Sequence, residues 1–122
     1  LGHMAVSNLD TESLVREMCD LTFGHFTQYR ENLVRAVGTH ATFEPAAWGE
    51  YDGVANVAEI VLRRGQSRGE LQADFDVAGM ATAVTAMLIG TAIEWSMGRI
   101  ARDQYSETCT QRILMLLRGV RA

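Results

Sequence analysis

The sequence predicts a single all-α domain, and three observations indicate it. Hydrophobic residues make up 48% of the 122 residues and charged residues 21%, as in a folded globular chain. Apolar residues recur at intervals of three and four, which is the period of an amphipathic helix. Proline occurs once, at Pro45, whereas a β-sandwich or barrel needs many turns.

The first helical pattern begins after Asp10 and Thr11, both of which are good N-caps. Its apolar positions span residues 14–37, and Gly38 is a natural stop. Gly24 interrupts the pattern, so the segment is either one kinked helix or two helices.

Pro45 suits the first turn of a second helix, whose apolar face includes Trp48, Tyr51 and Val54. Two arginines followed by Gly65 predict its end. Residues 66–75 are then expected to form a loop.

A third pattern, at about residues 77–99, is apolar on nearly every side and begins after a cap at Asp74 or Asp76. One domain of this size cannot easily cover such a helix on all sides, so the pattern predicts a second subunit. A last helix follows a cap at Asp103 or Ser106. Its main stripe contains Tyr105, Cys109, Ile113, Leu116 and Val120.

Charge and composition argue against several function classes. The net charge is −4, so this chain is not expected to contact a phosphate backbone. No stretch reaches the length of an uninterrupted membrane span, and a cytoplasmic protein is expected. Cys19 and Cys109 fit a reducing compartment and are interpreted as buried apolar residues. Residues 1–4 look like a cloning remnant, which leaves residues 5–122 as one domain.

Neither catalysis nor metal binding is predicted. Cys19, His25 and His40 lack the close spacing of metal ligands. No motif supplies a nucleophile, a base and oxyanion donors together. The sequence therefore predicts neither an enzyme nor a cofactor.

Aromatic and methionine side chains form the candidate ligand site. These side chains lie on the predicted inward faces of three helices, and methionine adapts to irregular ligands. Periodicity alone favours ordinary core packing for the same residues. The candidates are Phe26, Tyr29, Trp48, Tyr51, Met80, Met87 and Glu94. Glu94 is the one charge deep within the apolar helix. It either pairs with an arginine at the edge of the domain, or it orients a ligand or sets the register of the dimer contact.

The last two helices supply the candidate dimer contact. Glycines there would allow a partner helix to approach closely, although packing between the two helices of one chain is the alternative for the same positions. The candidates are Gly90, Ile93, Met97, Ile113 and Leu116.

Three stretches resemble the C-terminal domains of TetR-type transcriptional regulators. Residues 60–76 contain Gly65, then Gly-Glu-Leu at 69–71, then Asp74 and Asp76. Residues 81–95 resemble the penultimate helix of that family, and residues 116–120 resemble its final turn.

This resemblance implies a bacterial repressor domain of about five helices. The last two would pair with those of a second subunit as a four-helix bundle, and the earlier helices would surround a small-molecule pocket. Ligand binding would change the spacing of N-terminal helix-turn-helix domains, which this chain lacks, and DNA would be bound through those domains alone.

The expected function is thus effector sensing and homodimerisation for a TetR-like repressor, with a small, mostly apolar effector. The alternative is a helical dimerisation or adaptor domain without a ligand.

Overall fold

Four α-helices make up most of the computed structural model, which describes residues 9–28 and 45–122, with side chains at 9–24 and 52–122. The predicted all-α class is confirmed for these residues. The fifth helix of the expected bundle is not among them, and residues 29–37 of the first predicted pattern lie outside the described chain. The helices are α1 (Thr11–Gln28), α2 (Pro45–Ser67), α3 (Val77–Ser96) and α4 (Tyr105–Leu117), with 3-10 turns at Arg102–Gln104 and Arg118–Val120.

Side-chain caps mark the beginnings of α1 and α3. The Asp10 carboxylate accepts the backbone N–H of Ser13 at 2.8 Å, and the Asp76 carboxylate accepts that of Gly79 at 2.9 Å. Neither predicted cap begins α4, because the helix continues directly from a 3-10 turn and its N-cap, Gln104, makes no side-chain capping bond.

Glycines in left-handed conformation end α2 and α3. Gly69 has φ 75° and Gly98 has φ 80°. The N–H of Gly98 donates to the carbonyl of Trp95, and the N–H of Arg99 donates to that of Glu94, which is the Schellman arrangement. The predicted end of α2 at Gly65 is therefore wrong, and α3 ends at Ser96 rather than near residue 99.

Gly65 lies inside α2 because two other segments approach it closely. A Cβ atom built there would lie 2.7 Å from Leu71 Cδ1 and 2.8 Å from Thr11 Oγ1. The glycine therefore makes room for the residues that follow α2 and for the beginning of α1.

The core lies between α1, α2, α3 and α4, each of which packs against at least two of the others. Apolar side chains from all four helices are fully buried, and Leu88 of α3 and Ile113 of α4 are among the largest of them. Besides these two, the members of the core include Leu14, Val15, Met18, Ala58, Val61, Leu62, Val84 and Tyr105.

The C-terminus is tied to the segment after α2. Leu71 and Arg121 form an antiparallel bridge, in which Gln72 donates its N–H to the carbonyl of Val120 at 2.7 Å and Ala122 donates to that of Glu70 at 3.2 Å. These bonds hold the last turn of the chain beside the α2–α3 connection.

Helix α3 is long and apolar enough to cross a membrane by length and composition, a test that core helices also pass. Nine of its residues are buried within the chain, including Val84, Leu88 and Trp95. Burial of these side chains identifies α3 as the central helix of this core.

Candidate functional site

Four predicted ligand residues lie where the structure gives no side chains. Phe26 belongs to α1, and Trp48 and Tyr51 belong to α2, but only their backbones are described. Tyr29 lies outside the described residues. Their role in a pocket stays a prediction.

The other three ligand candidates share one side of α3. Met80, Met87 and Glu94 are separated by seven residues each, which places them on the same flank of the helix. The two methionines are half-buried and pack against the edge of the core. This flank therefore combines adaptable apolar side chains with one carboxylate.

Glu94 forms an ion pair with Arg112 of α4. The Arg112 guanidinium also donates to Thr91 Oγ1 at 3.2 Å, and the two charged side chains are 34% and 37% exposed. Glu94 thus has its arginine partner at the edge of the domain, which was one of the two interpretations of the sequence. Arg112 was not singled out by the sequence, because the pair joins positions on two different helices.

An exposed apolar row runs along α3, and we call it the α3 face. Its members follow one another at spacings of four, three, four, three and four, and none is charged. Gly79, Ala86, Gly90 and Met97 are exposed, while Ala83 and Ile93 are half-buried. Three predicted dimer residues, Gly90, Ile93 and Met97, belong to this row.

The predicted dimer residues of α4 differ in burial. Leu116 is half-buried, but Ile113 is completely buried in the core of its own chain. Ile113 therefore has no surface for a partner and is withdrawn from the dimer contact. The stripe that contains Ile113 is the inward side of α4, as the burial of Tyr105, Cys109 and Leu117 shows.

Met115 is an exposed apolar residue of α4 that the sequence analysis missed. Its side chain is 62% exposed, as is that of Met97. The available signal was its position off the main apolar stripe, since a large apolar residue on the outer side of a helix is a candidate for partner contact.

A buried cluster of polar and sulfur-containing side chains joins α1 to α4. The Tyr105 hydroxyl donates to the backbone carbonyl of Leu88 at 3.1 Å, and burial raises the pKa of Tyr105. The Phe23 ring stacks on the Tyr105 ring with centroids 4.5 Å apart. Cys19 and Cys109 lie in this cluster, and both are completely buried.

Within residues 9–24 and 52–122, whose side chains the structure describes, no three side chains of histidine, cysteine, aspartate or glutamate come together as a metal site. Comparisons with models of protein families, with curated proteins and with solved structures give no match to this chain. Its function is therefore inferred from its own residues.

Proposed function

We propose that this chain is the effector-sensing and dimerisation domain of a TetR-like transcriptional repressor. It acts as a homodimer, and it controls DNA binding by a helix-turn-helix domain. The observation that carries the proposal is the uncharged α3 face, which the rest of the described chain leaves exposed.

The α3 face favours a helix as its partner. Glycine and alanine supply four of its six positions, and a Cβ built at Gly90 meets no atom within 4 Å. Small side chains permit two helices to approach closely, and the alternating spacing of four and three matches the seam of packed helices. The exposed Met115 and the half-buried Leu116 of α4 offer further apolar area for a partner. A second copy of the chain accounts for the whole face, because a two-fold contact places the same patch on both subunits.

The flank with Met80 and Met87 supports the sensing half of the proposal. It lies beside the α3 face on the same helix, so a ligand that displaces these methionines also shifts the dimer contact. Ligand binding then favours the arrangement of α3 and α4 that binds the ligand more tightly. The Glu94–Arg112 ion pair supplies polar groups for the orientation of a mostly apolar effector.

A ligand-free dimerisation or adaptor domain is the second candidate. The observation in its favour is that Arg112 already neutralises Glu94, so this carboxylate needs no partner from a ligand. This candidate shares the α3 face and the dimer with the first, and it differs only in the absence of an effector.

Native mass spectrometry tests the dimer. The expected species has twice the mass of the 13.5 kDa chain. A chain that stays monomeric at all accessible concentrations contradicts both candidates, because both require a second subunit to cover the α3 face. A dimer that carries additional non-covalent mass supports the sensor.

Binding of the apolar dye 1-anilinonaphthalene-8-sulfonate tests the sensing half. The Met87→Ala variant is expected to bind the dye several-fold more weakly than the unmodified dimer, because it removes one wall of the flank. Leu21→Ala, at an exposed position of α1, is the matched control, and its affinity for the dye should be unchanged. Equal affinities for all three proteins favour the adaptor candidate.

A further inference from the structure

The α3 face has the same spacing in both directions along the chain. Its steps of four, three, four, three and four residues are unchanged when their order is reversed. Two copies of this row can therefore pack with their helices antiparallel and stay in register along its whole length, with position 88 at the centre. The facing pairs are then Gly79 with Met97, Ala83 with Ile93, and Ala86 with Gly90.

We propose that two copies of the chain pair through α3 in this antiparallel register, about a two-fold axis that passes beside position 88. The inference rests on the proposed function, because it takes a second copy as the occupant of the α3 face, and it adds the orientation and the register of the two subunits. Helix α3 spans Val77–Ser96, so this register pairs almost the whole helix.

The sizes of the side chains favour the antiparallel orientation. The two large residues of the row, Ile93 and Met97, lie near the end of α3, and the small ones lie before them. Antiparallel pairing places a small residue opposite each large one. Ala86 and Gly90, both small, then meet at the centre, where crossing helices approach most closely. Parallel pairing would set Met97 against Met97 and Gly79 against Gly79, which separates the helices at one end and leaves a gap at the other.

Charges at the two ends of α3 favour the same orientation. Asp76 caps the beginning of the helix and Arg99 follows its end, and both residues are exposed. Arg99 lies two residues beyond Met97, and Asp76 lies three residues before the glycine that Met97 of the other copy faces. The register therefore brings each aspartate close to the arginine of the other copy. A parallel pair would bring like charges together at both ends.

Engineered cysteines test the register. Ala83 and Ile93 face each other between the copies, whereas the two copies of position 83 lie about 15 Å apart along the helix axis, beyond the reach of a disulfide. Under oxidation by copper phenanthroline, the double variant Ala83→Cys/Ile93→Cys is expected to form a covalent dimer on a non-reducing gel. Each single variant should remain a monomer on that gel. The unmodified chain, whose own cysteines are buried, is the control.

The outcomes separate this inference from the proposed function. Covalent dimers of either single variant would indicate parallel pairing and overturn the antiparallel register, while the homodimer would stand. A double variant that is dimeric in native mass spectrometry but does not cross-link would overturn the register as well. An unmodified chain that is monomeric in native mass spectrometry would overturn the dimer and the register together.

A charge variant tests the orientation without engineered cysteines. Asp76→Asn removes the charge but keeps the cap, because asparagine caps a helix about as well as aspartate does. We expect the dimer dissociation constant to rise several-fold at low ionic strength and to approach that of the original chain at high salt. Asp52→Asn, an exposed substitution in α2, is the matched control and should leave the constant unchanged. A tighter dimer for Asp76→Asn overturns the proposal, because a parallel pair would gain from the loss of repulsion between its two aspartates.

Discussion

Asp74 and Asp76 offer the same carboxylate two residues apart, and the structure assigns them different roles. The carboxylate of Asp76 accepts the N–H of Gly79, one of the N–H groups that the first turn of α3 cannot satisfy itself. Asp74 is exposed in the bend that precedes this cap. Sequence reasoning predicted a cap at one of the two, and the local geometry selects the second.

Replacement of the cap should weaken the fold measurably. We expect Asp76→Ala to lower the free energy of unfolding by about 1 kcal/mol, because the Gly79 N–H loses its acceptor. Asp74→Ala is the matched control and should stay within about 0.5 kcal/mol of the original chain. Urea unfolding followed by circular dichroism measures both values. Equal losses in the two variants would show that capping by Asp76 is not the source of the difference.

Gly65 and Gly53, both in α2, have opposite requirements for space. A methyl group at Gly65 would meet Leu71 and Thr11 within 3 Å, whereas a methyl group at exposed Gly53 meets no atom within 4 Å. We expect Gly65→Ala to destabilise the chain by about 1–3 kcal/mol through overpacking. Gly53→Ala should stabilise it by about 0.4–1 kcal/mol, because alanine has the higher helix propensity. Chemical denaturation of the two variants measures the change in unfolding free energy for each. A stabilised Gly65→Ala variant would contradict the close approach of Leu71 and Thr11.

At the scale of the helices, the beginnings were more predictable than the ends. The carboxylates of Asp10 and Asp76 accept backbone N–H groups three residues away, so the capping signal lies within the local sequence. The end of α2 was predicted at Gly65, but this glycine lies within the helix and makes room for Leu71 and Thr11, which belong to other segments. A terminating glycine and a close-packing glycine look alike in sequence, which explains why the predicted end was wrong.

The candidate dimer face was predictable in part for a similar reason. The α3 positions Gly90, Ile93 and Met97 share a row because helical spacing alone places them there. The main apolar stripe of α4 indicated the inward side of the helix, but the sequence analysis assigned two residues of that stripe to the dimer contact. Ile113 of the stripe is buried, and Met115 outside it is exposed.

Glu70 joins the end of α2 to the beginning of α1, and this contact should respond to acid. Its carboxylate accepts Arg68 Nε at 2.6 Å and the Thr11 N–H at 3.1 Å. Burial alone would raise the pKa of Glu70, but the two hydrogen bonds and the Arg68 charge outweigh it and lower the pKa below the ordinary value of 4.5. The stabilisation is therefore present above pH 4.5, and it is lost as the pH falls through the lowered pKa of the folded chain.

The Glu70→Gln variant isolates this contribution. The difference in unfolding free energy between the original chain and the variant should be largest near neutral pH and should shrink as the pH falls from about 6 to about 3. Asp52→Asn, an exposed substitution in α2, should run parallel to the original chain across this range. Urea unfolding at several pH values provides the comparison. A constant difference for Glu70→Gln would show that the Glu70 charge does not stabilise the contact.

At the scale of the whole molecule, α3 has two apolar sides, one buried in the core and one on the surface of the described chain. Its buried side, with Leu88 and Trp95, is covered by the other helices of the chain. The α3 face on the opposite side accounts for the nearly uniform apolar character of this segment, which the sequence analysis attributed to a second subunit. In the proposed dimer the same helix would serve both the core and the subunit contact, so a change at the flank with Met80 and Met87 would reach that contact.

A charge in the middle of the α3 face should separate the proposed dimer. Ala86 is exposed in the single chain, so Ala86→Glu should leave the fold intact. In a two-fold dimer the substitution places one carboxylate from each subunit at the seam without an opposite charge. We expect the dimer dissociation constant to rise at least about tenfold, as measured by sedimentation or by light scattering during size-exclusion chromatography.

The matched control is Ala73→Glu, which introduces the same side chain at an exposed position in the α2–α3 connection. It should dimerise as the original chain does, because it lies outside α3 and α4. Circular dichroism establishes that both variants keep their helices, so a loss of association in Ala86→Glu alone locates the contact at the α3 face. Dissociation of both variants would indicate that net charge, rather than this face, controls association. Retention of the dimer by both would place the subunit contact on another surface of the chain.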